Sequence, residues 1–360
     1  MGKIRSLAVL SALALTVGGA VACSSGKSTS STAASSTATA KVAATTGPQQ
    51  YTVVVDGPST LGAENFVFGT YFPKALAVRP GDTVVFENRS SNDVHTVTFG
   101  VKPDRSDQPA IPKNGGENPA VFGPCFSAQG PRTDLTCPAP PAAPPEYGGK
   151  GFWNSGVILP TALPPEAGPK QVAVKLAAGL APGPYTVMCL LHPFMEATLN
   201  VVGTDAERVS PAAVAAAADK ELGTARAQVD AIQAPAHAPD ATGATVTASW
   251  GDKLVAFNRF DPETVSIKAG QTVIWRDASP WMPHTVSFQP PFKTPSDPKA
   301  FLPTGAKSGS RFAGGVAHSG MFGPTPAFPT DTFSLSFTKP GRYPYLCLLH
   351  PGMAGTVEVS

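Results

Sequence analysis

The heptapeptide CLLHPFM at 189–195 returns with a single change as CLLHPGM at 347–353. A chain with only five cysteines and six histidines thus places two of each in one pattern. The agreement extends outward on both sides. FPKALAVRPGDTVVFENRSSNDVHTVTFG at 72–100 answers FDPETVSIKAGQTVIWRDASPWMPHTVSFQ at 260–289, with Gly81 and Gly270 each fourteen residues before His95 and His284. FWNSG at 152–156 answers VAHSG at 316–320, and Gly183 and Gly341 each stand six residues before Cys189 and Cys347. Such self-similarity means two copies of one domain, and 360 residues of which 42% are hydrophobic can supply a core for each.

Both copies read as strands. Segments such as TVVFEN, HTVTFG, YTVMCL and ATLNVV, and in the second copy TVSI, TVIWRD, HTVSF, FSLSF, YPYLCL and GTVEV, alternate apolar with polar residues between Pro/Gly turns. The expectation is all-β, as two tandem Greek-key β-sandwiches at 48–203 and 241–360. Between them, within a linker at 204–240, the Ala-rich stretch 210–232 repeats Val214, Ala218, Leu222, Ala225, Val229 and Ile232 at spacings of three and four after a Ser210-Pro211 start. That is one amphipathic helix, read as a connector that packs on the domains.

Cys189, His192 and Met195, with His95 from a neighbouring strand, bring together a thiolate, two imidazoles and a thioether. His284, Cys347, His350 and Met353 do the same in the second copy. This is the donor set of a type 1 copper site, a compromise between the preferences of Cu(I) and Cu(II) that lets an electron enter or leave with little rearrangement. Zinc is the rival metal, but structural zinc sites use two or more cysteines and no methionine. A c-type haem would need a second Cys before the His.

On these residues each copy resembles the cupredoxins of the plastocyanin and amicyanin-like group, and the two-residue spacing between His and Met is similar to the short amicyanin-type loop. The resemblance implies a copper ion in each copy, two type 1 ions in all. It also implies that the second His lies at an apolar surface through which electrons pass, which points to His192 with Pro193 and Phe194, and to His350 with Pro351. Two-domain copper enzymes need additional histidines, commonly in His-x-His pairs. None occurs here, and after the eight ligands only His237 and His318 remain, so an electron carrier is expected rather than an enzyme. A copper-binding or trafficking protein is the alternative, and a subunit of a copper oxidoreductase comes third.

The N-terminus reads as an export signal at 1–22: positive charge at Met1–Arg5, an apolar stretch over Leu7–Val17 too short to span a bilayer, then GGAVAC ending at Cys23. AVAC resembles a bacterial lipobox, with Ala20 where Leu is more usual, and predicts a lipid on Cys23. Plain secretion would cut at the same bond. The Ser/Thr/Ala tract that follows, to residue 47, is a tether with a reach of roughly 25 to 30 Å. An extracytoplasmic, membrane-anchored protein is therefore expected, with unidentified redox proteins as partners.

With Cys23, Cys189 and Cys347 assigned, Cys125 and Cys137 remain. Both lie in a Pro-rich insertion at about 101–150 in the first copy, and in an oxidising compartment they are expected to form a disulfide. Outside the first 47 residues the chain carries 23 basic and 25 acidic residues with no basic run, which gives no footprint for nucleic acid.

Overall fold

A computed structural model describes residues 47–101, 118–128, 136–232, 234, 243–291, 298–325 and 328–360. The export signal, Cys23, the tether and His237 lie outside the described residues. Among those described, no helix is long and apolar enough to cross a membrane.

Each half is a β-sandwich. In the first, Gln50–Val55 runs parallel to Thr83–Asn88, which pairs antiparallel with Gln171–Lys175. The facing sheet joins Ala75–Val78, Glu196–Val201, Gly183–Met188, His95–Phe99, Phe152–Ile158 and Cys125–Ser127 in that order. The second half repeats the plan: Gly243–Gly251 runs parallel to Thr272–Ala278, and Thr264–Ile267 runs parallel to Ala354–Val359. Alternation along Thr83–Asn88 turns Val84, Phe86 and Asn88 inward, and along Thr272–Ala278 it turns Val273, Trp275 and Asp277 inward. Tyr51, Val97, Phe99 and Val187 fill the first core, and Trp275, Phe288, Phe337 and Tyr345 the second.

The halves are not beads on a string. Phe66–Phe68 leaves the first half and adds antiparallel to Val255–Phe257, extending a sheet of the second, with Phe68 opposite Val255. The helix Pro211–Val229 lies across this joint. Ser210 caps it by accepting a hydrogen bond from the Ala213 amide at 3.2 Å, and Pro211 fits the first turn, where no amide is needed. Val214 enters the core of the first half, whereas Ala218, Ala225 and Val229 pack with Phe66, Phe68, Phe72, Trp250 and Phe257 from both halves. Its small residues let the two sandwiches approach the helix closely. The helix ends at Val229, three residues before the expected Ile232, which is partly buried in the same cluster.

The inward position of Asp277 is costly. Its Oδ1 accepts a hydrogen bond from the Ser279 amide at 2.8 Å, but its buried Oδ2 has no partner among the described residues. Burial pushes the carboxyl up to about 8, with the Ser279 amide opposing and the charge of Asp331 adding to the rise. The first half has Asn88 at this position, where the amide side chain donates to the carbonyls of Asp93 and Ile158, both at 3.0 Å. An acid whose folded value lies above its unfolded one costs stability once pH exceeds the unfolded value, and the cost grows until pH reaches the folded value. Asp277→Asn should therefore stabilise the protein by about 1–3 kcal/mol at pH 7, with the gain fading below about pH 4. Urea unfolding at the two pH values checks this, and an equal effect at both would contradict it.

Candidate metal centres

Each heptapeptide is the turn of a hairpin. Cys189 follows the strand Gly183–Met188, and Met195 precedes Glu196–Val201. The turn closes on its own backbone, since the Cys189 amide donates to the Met195 carbonyl at 3.1 Å and the Met195 amide to the His192 carbonyl at 3.4 Å. The same pair of bonds, at 2.9 and 3.2 Å, joins Cys347 to Met353 and Met353 to His350. The closed turn brings Cys and His to the same side. Met195 and Met353 are buried in the cores beside their cysteines.

His95, the first residue of its strand, completes the first cluster. Cys189 Sγ lies 4.0 Å from His95 Nδ1 and 3.6 Å from His192 Nδ1, and the two Nδ1 atoms are 3.2 Å apart. In the second cluster the corresponding distances are 3.8, 3.5 and 3.2 Å among Cys347, His284 and His350. All six side chains are buried, and each triad offers one donor atom per residue within 4.8 Å of the others. Each sulfur is further fixed by an amide N–H, from Thr96 or Thr285, at 3.4 Å. The hydroxyls of those threonines accept the amides of Leu190 and Leu348 at 2.8 and 2.9 Å, which ties the His-bearing segment to the Cys-bearing turn.

Two imidazole nitrogens and one sulfur converging on a common point, with a buried Met on the same turn, suit a metal with both soft and borderline tastes. Copper fits this donor set.

The two clusters differ in their surroundings. His95 Nε2 meets the buried Asp56 carboxylate at 3.1 Å, whereas His284 Nε2 has no hydrogen-bond partner among the described residues. In the metal-free protein, burial alone would lower His95, but its hydrogen bonds to Asp56 and Cys189 and the nearby charges raise it to about 10. Burial, unopposed, takes His284 down to about 3. The thiols diverge likewise. Burial opposes ionisation of Cys189, but His192 and His95 bring its thiol well below the ordinary value, whereas at Cys347 burial prevails and the value rises.

The surface expected at His192 and His350 is not where the resemblance puts it. The imidazoles are only 4% and 3% exposed, because each faces the other half of the chain rather than solvent. Trp281, from the second half, meets the His192 ring edge to face with centroids 5.6 Å apart. Residues 61 and 62 of the first half approach one side of Gly352 so closely that a Cβ there would lie 3.0 Å from Leu61 Cγ. Pro193 and Pro351 are half-buried, and Phe194 alone of the five expected residues is open, at 50% exposure, with Lys253 Nζ 5.3 Å from its ring centre. Phe194 has φ 69°, a left-handed conformation that suits glycine, and the second turn has Gly352 there at φ 80°.

Cys125 and Cys137 are joined in a disulfide. His318 is fully buried and structural: Nδ1 lies 2.8 Å from Ser287 Oγ and Nε2 3.0 Å from the Ala300 carbonyl. Asn154 does the same task in the first half, donating to the carbonyls of Ala120 and Val121 at 2.9 Å. Each thereby holds a short helical turn, Pro119–Phe122 or Pro298–Phe301, so part of the segment read as an insertion has a counterpart in the second copy.

Sequence reasoning missed Asp56, Asp93 and Trp281. Asp93 stands two residues before His95 and Trp281 three before His284, close enough in sequence to be a signal. Asp56, 39 residues before His95, offered none.

Residues 249–360 match the sequence family described as copper binding proteins, plastocyanin/azurin family. No curated protein matches the chain. Among solved structures the chain is similar to several amicyanin mutants. One Cu(I) form is 22% identical, covering 36% of this chain and 96% of that one with a TM-score of 0.22. A reduced Cu(I) form at pH 4 and an oxidised mutant are each 21% identical over the same shares, with TM-scores of 0.22 and 0.21.

Proposed function

We propose, on the premise that residues 249–360 form a copper-binding domain of the plastocyanin/azurin family, that the whole chain is an extracytoplasmic electron-transfer protein with two type 1 copper sites. The observation that carries this reading is the recurrence of one buried Cys, His, His cluster, in the same geometry, in both halves. His95, Cys189, His192 and Met195 would hold one ion, and His284, Cys347, His350 and Met353 the other. Copper bound there supplies one-electron exchange between its two oxidation states.

The residues of this chain do the rest. The threonine amides and the closed hairpin turns fix the sulfur and imidazole donors before any metal arrives, which keeps rearrangement small. Burial of all six Cys and His side chains excludes water from the donors. Asp56 holds the His95 ring with Nδ1 turned toward the cluster, as carboxylates do for ligating histidines. The export signal and Cys23 support placement at the outer face of a cell membrane, where a redox protein would be the partner and nucleic acid would not.

The test is the copper content and visible spectrum of the purified protein after copper loading and oxidation. Two ions per chain with an intense thiolate-to-copper band near about 600 nm are expected for this donor set. A colourless protein holding copper or zinc would overturn the reading.

A further inference from the structure

We propose that Asp93 is a positioning residue shared by both centres, a bridge through which the state of one cluster is felt at the other. Its carboxylate is 3% exposed and stands between the second histidines of the two halves. Oδ2 lies 3.2 Å from His192 Nε2, and Oδ1 lies 4.0 Å from His350 Nε2. Oδ1 also accepts the Val94 amide at 2.8 Å, while Oδ2 makes no hydrogen bond among the described residues, so its polar neighbour is His192 Nε2.

The loop that carries Asp93 is held by its own hydrogen bonds. Ser90 Oγ accepts the amides of Asn92 and Asp93 at 3.4 and 3.2 Å, and Asn88 holds the Asp93 carbonyl. The second half builds the same turn, with Ser279 Oγ accepting the amides of Trp281 and Met282 at 3.3 and 3.1 Å. Asp93 and Met282 therefore occupy matching places two residues before the first ligand His. Only the first half has a charge there, and that charge reaches the imidazole of the opposite half. In a buried setting a carboxylate acts on nearby charge far more strongly than it would in water. A change of charge at either cluster therefore alters the common carboxylate and, through it, the other.

The inference rests on both clusters being metal centres, and its test has an arm that needs no metal. In the metal-free protein, Asp93→Asn should move the ring-nitrogen NMR signals of both His192 and His350, and movement of His192 alone would overturn the bridge. In the copper-loaded protein, Cys347→Ser should shift the midpoint potential of the first centre and change its Cu(II) affinity by about fivefold or more, the lower end for coupled sites. Cys189→Ser should do the same to the second centre, and both shifts should vanish in the Asp93→Asn background. Shifts that persist there, or that are absent with Asp93 intact, would overturn the proposal. Asp56→Asn serves as the control: among the described histidines its carboxylate meets His95 alone, its other oxygen accepting the Gly57 and Phe68 amides, so it should move the first potential alone, and an equal movement of both would also count against Asp93 as the link. A protein that binds no copper would defeat the proposed function, while the metal-free arm would still decide the bridge.

Discussion

Cys189→Ser is expected to remove one of two blue centres, leaving about half of the visible absorption and one copper per chain. The band near about 600 nm arises from sulfur-to-copper charge transfer, and a serine hydroxyl, neutral at ordinary pH, supplies neither the soft donor nor the transition. The second centre should survive because all its donors, His284, Cys347, His350 and Met353, come from the other half. Cys347→Ser should give the mirror result. The residual bands of the two variants need not coincide, because Asp56 faces His95 whereas His284 has no such partner. Absorption spectra and metal counts of the two single variants make the check. If either change abolished all visible absorption, two separate centres would be ruled out.

Phe68→Ala should cost about 3–5 kcal/mol, the range for a large aromatic side chain removed from a packed core. Phe68 is fully buried, with ring centroids 5.2 Å from Phe66 and 5.8 Å from Phe72, and its strand is bonded to the second half while its chain neighbours belong to the first. The cavity would open in the cluster shared by both sandwiches and the helix. Both halves should therefore lose stability together in a thermal melt followed by near-ultraviolet circular dichroism. A loss below about 1 kcal/mol, or one confined to a single half, would show that the joint is not a common core.

The sandwiches and the two buried Cys/His clusters were legible for a physical reason. Copies of one domain reveal a shared cluster by repeating its residues in register, and half-buried strands such as Thr83–Asn88 and Thr332–Phe337 write their inward faces as alternation. The strand Phe66–Phe68 escaped because it is buried on both faces, so FVF shows no alternation and is too short to stand out. The alternation of HTVSF predicts a strand, yet only Ser287–Phe288 is one, and His284 pairs with Phe322 through an isolated bridge. The covering of His192 and His350 was illegible for a different reason. It depends on how the two halves meet, and local spacing records contacts within a copy, not between copies. The sequence did carry the differences that matter at this junction: Asp93 against Met282, Asn92 against Trp281 and Phe194 against Gly352.

Those three differences gather where the halves face each other, and the covalent linker gives them their significance. In a dimer of identical chains related by a two-fold axis, every substitution appears on both sides of the interface at once, so a carboxylate facing one imidazole would be matched by a second carboxylate facing the other. Two such groups would crowd like charges into one dry junction. Joining the copies in tandem removes that obligation, since each face can mutate independently. One half could acquire the charge, Asp93, and the other the aromatic cover, Trp281. Broken symmetry is thus a property that this fused pair can have and a homodimer of the same fold cannot.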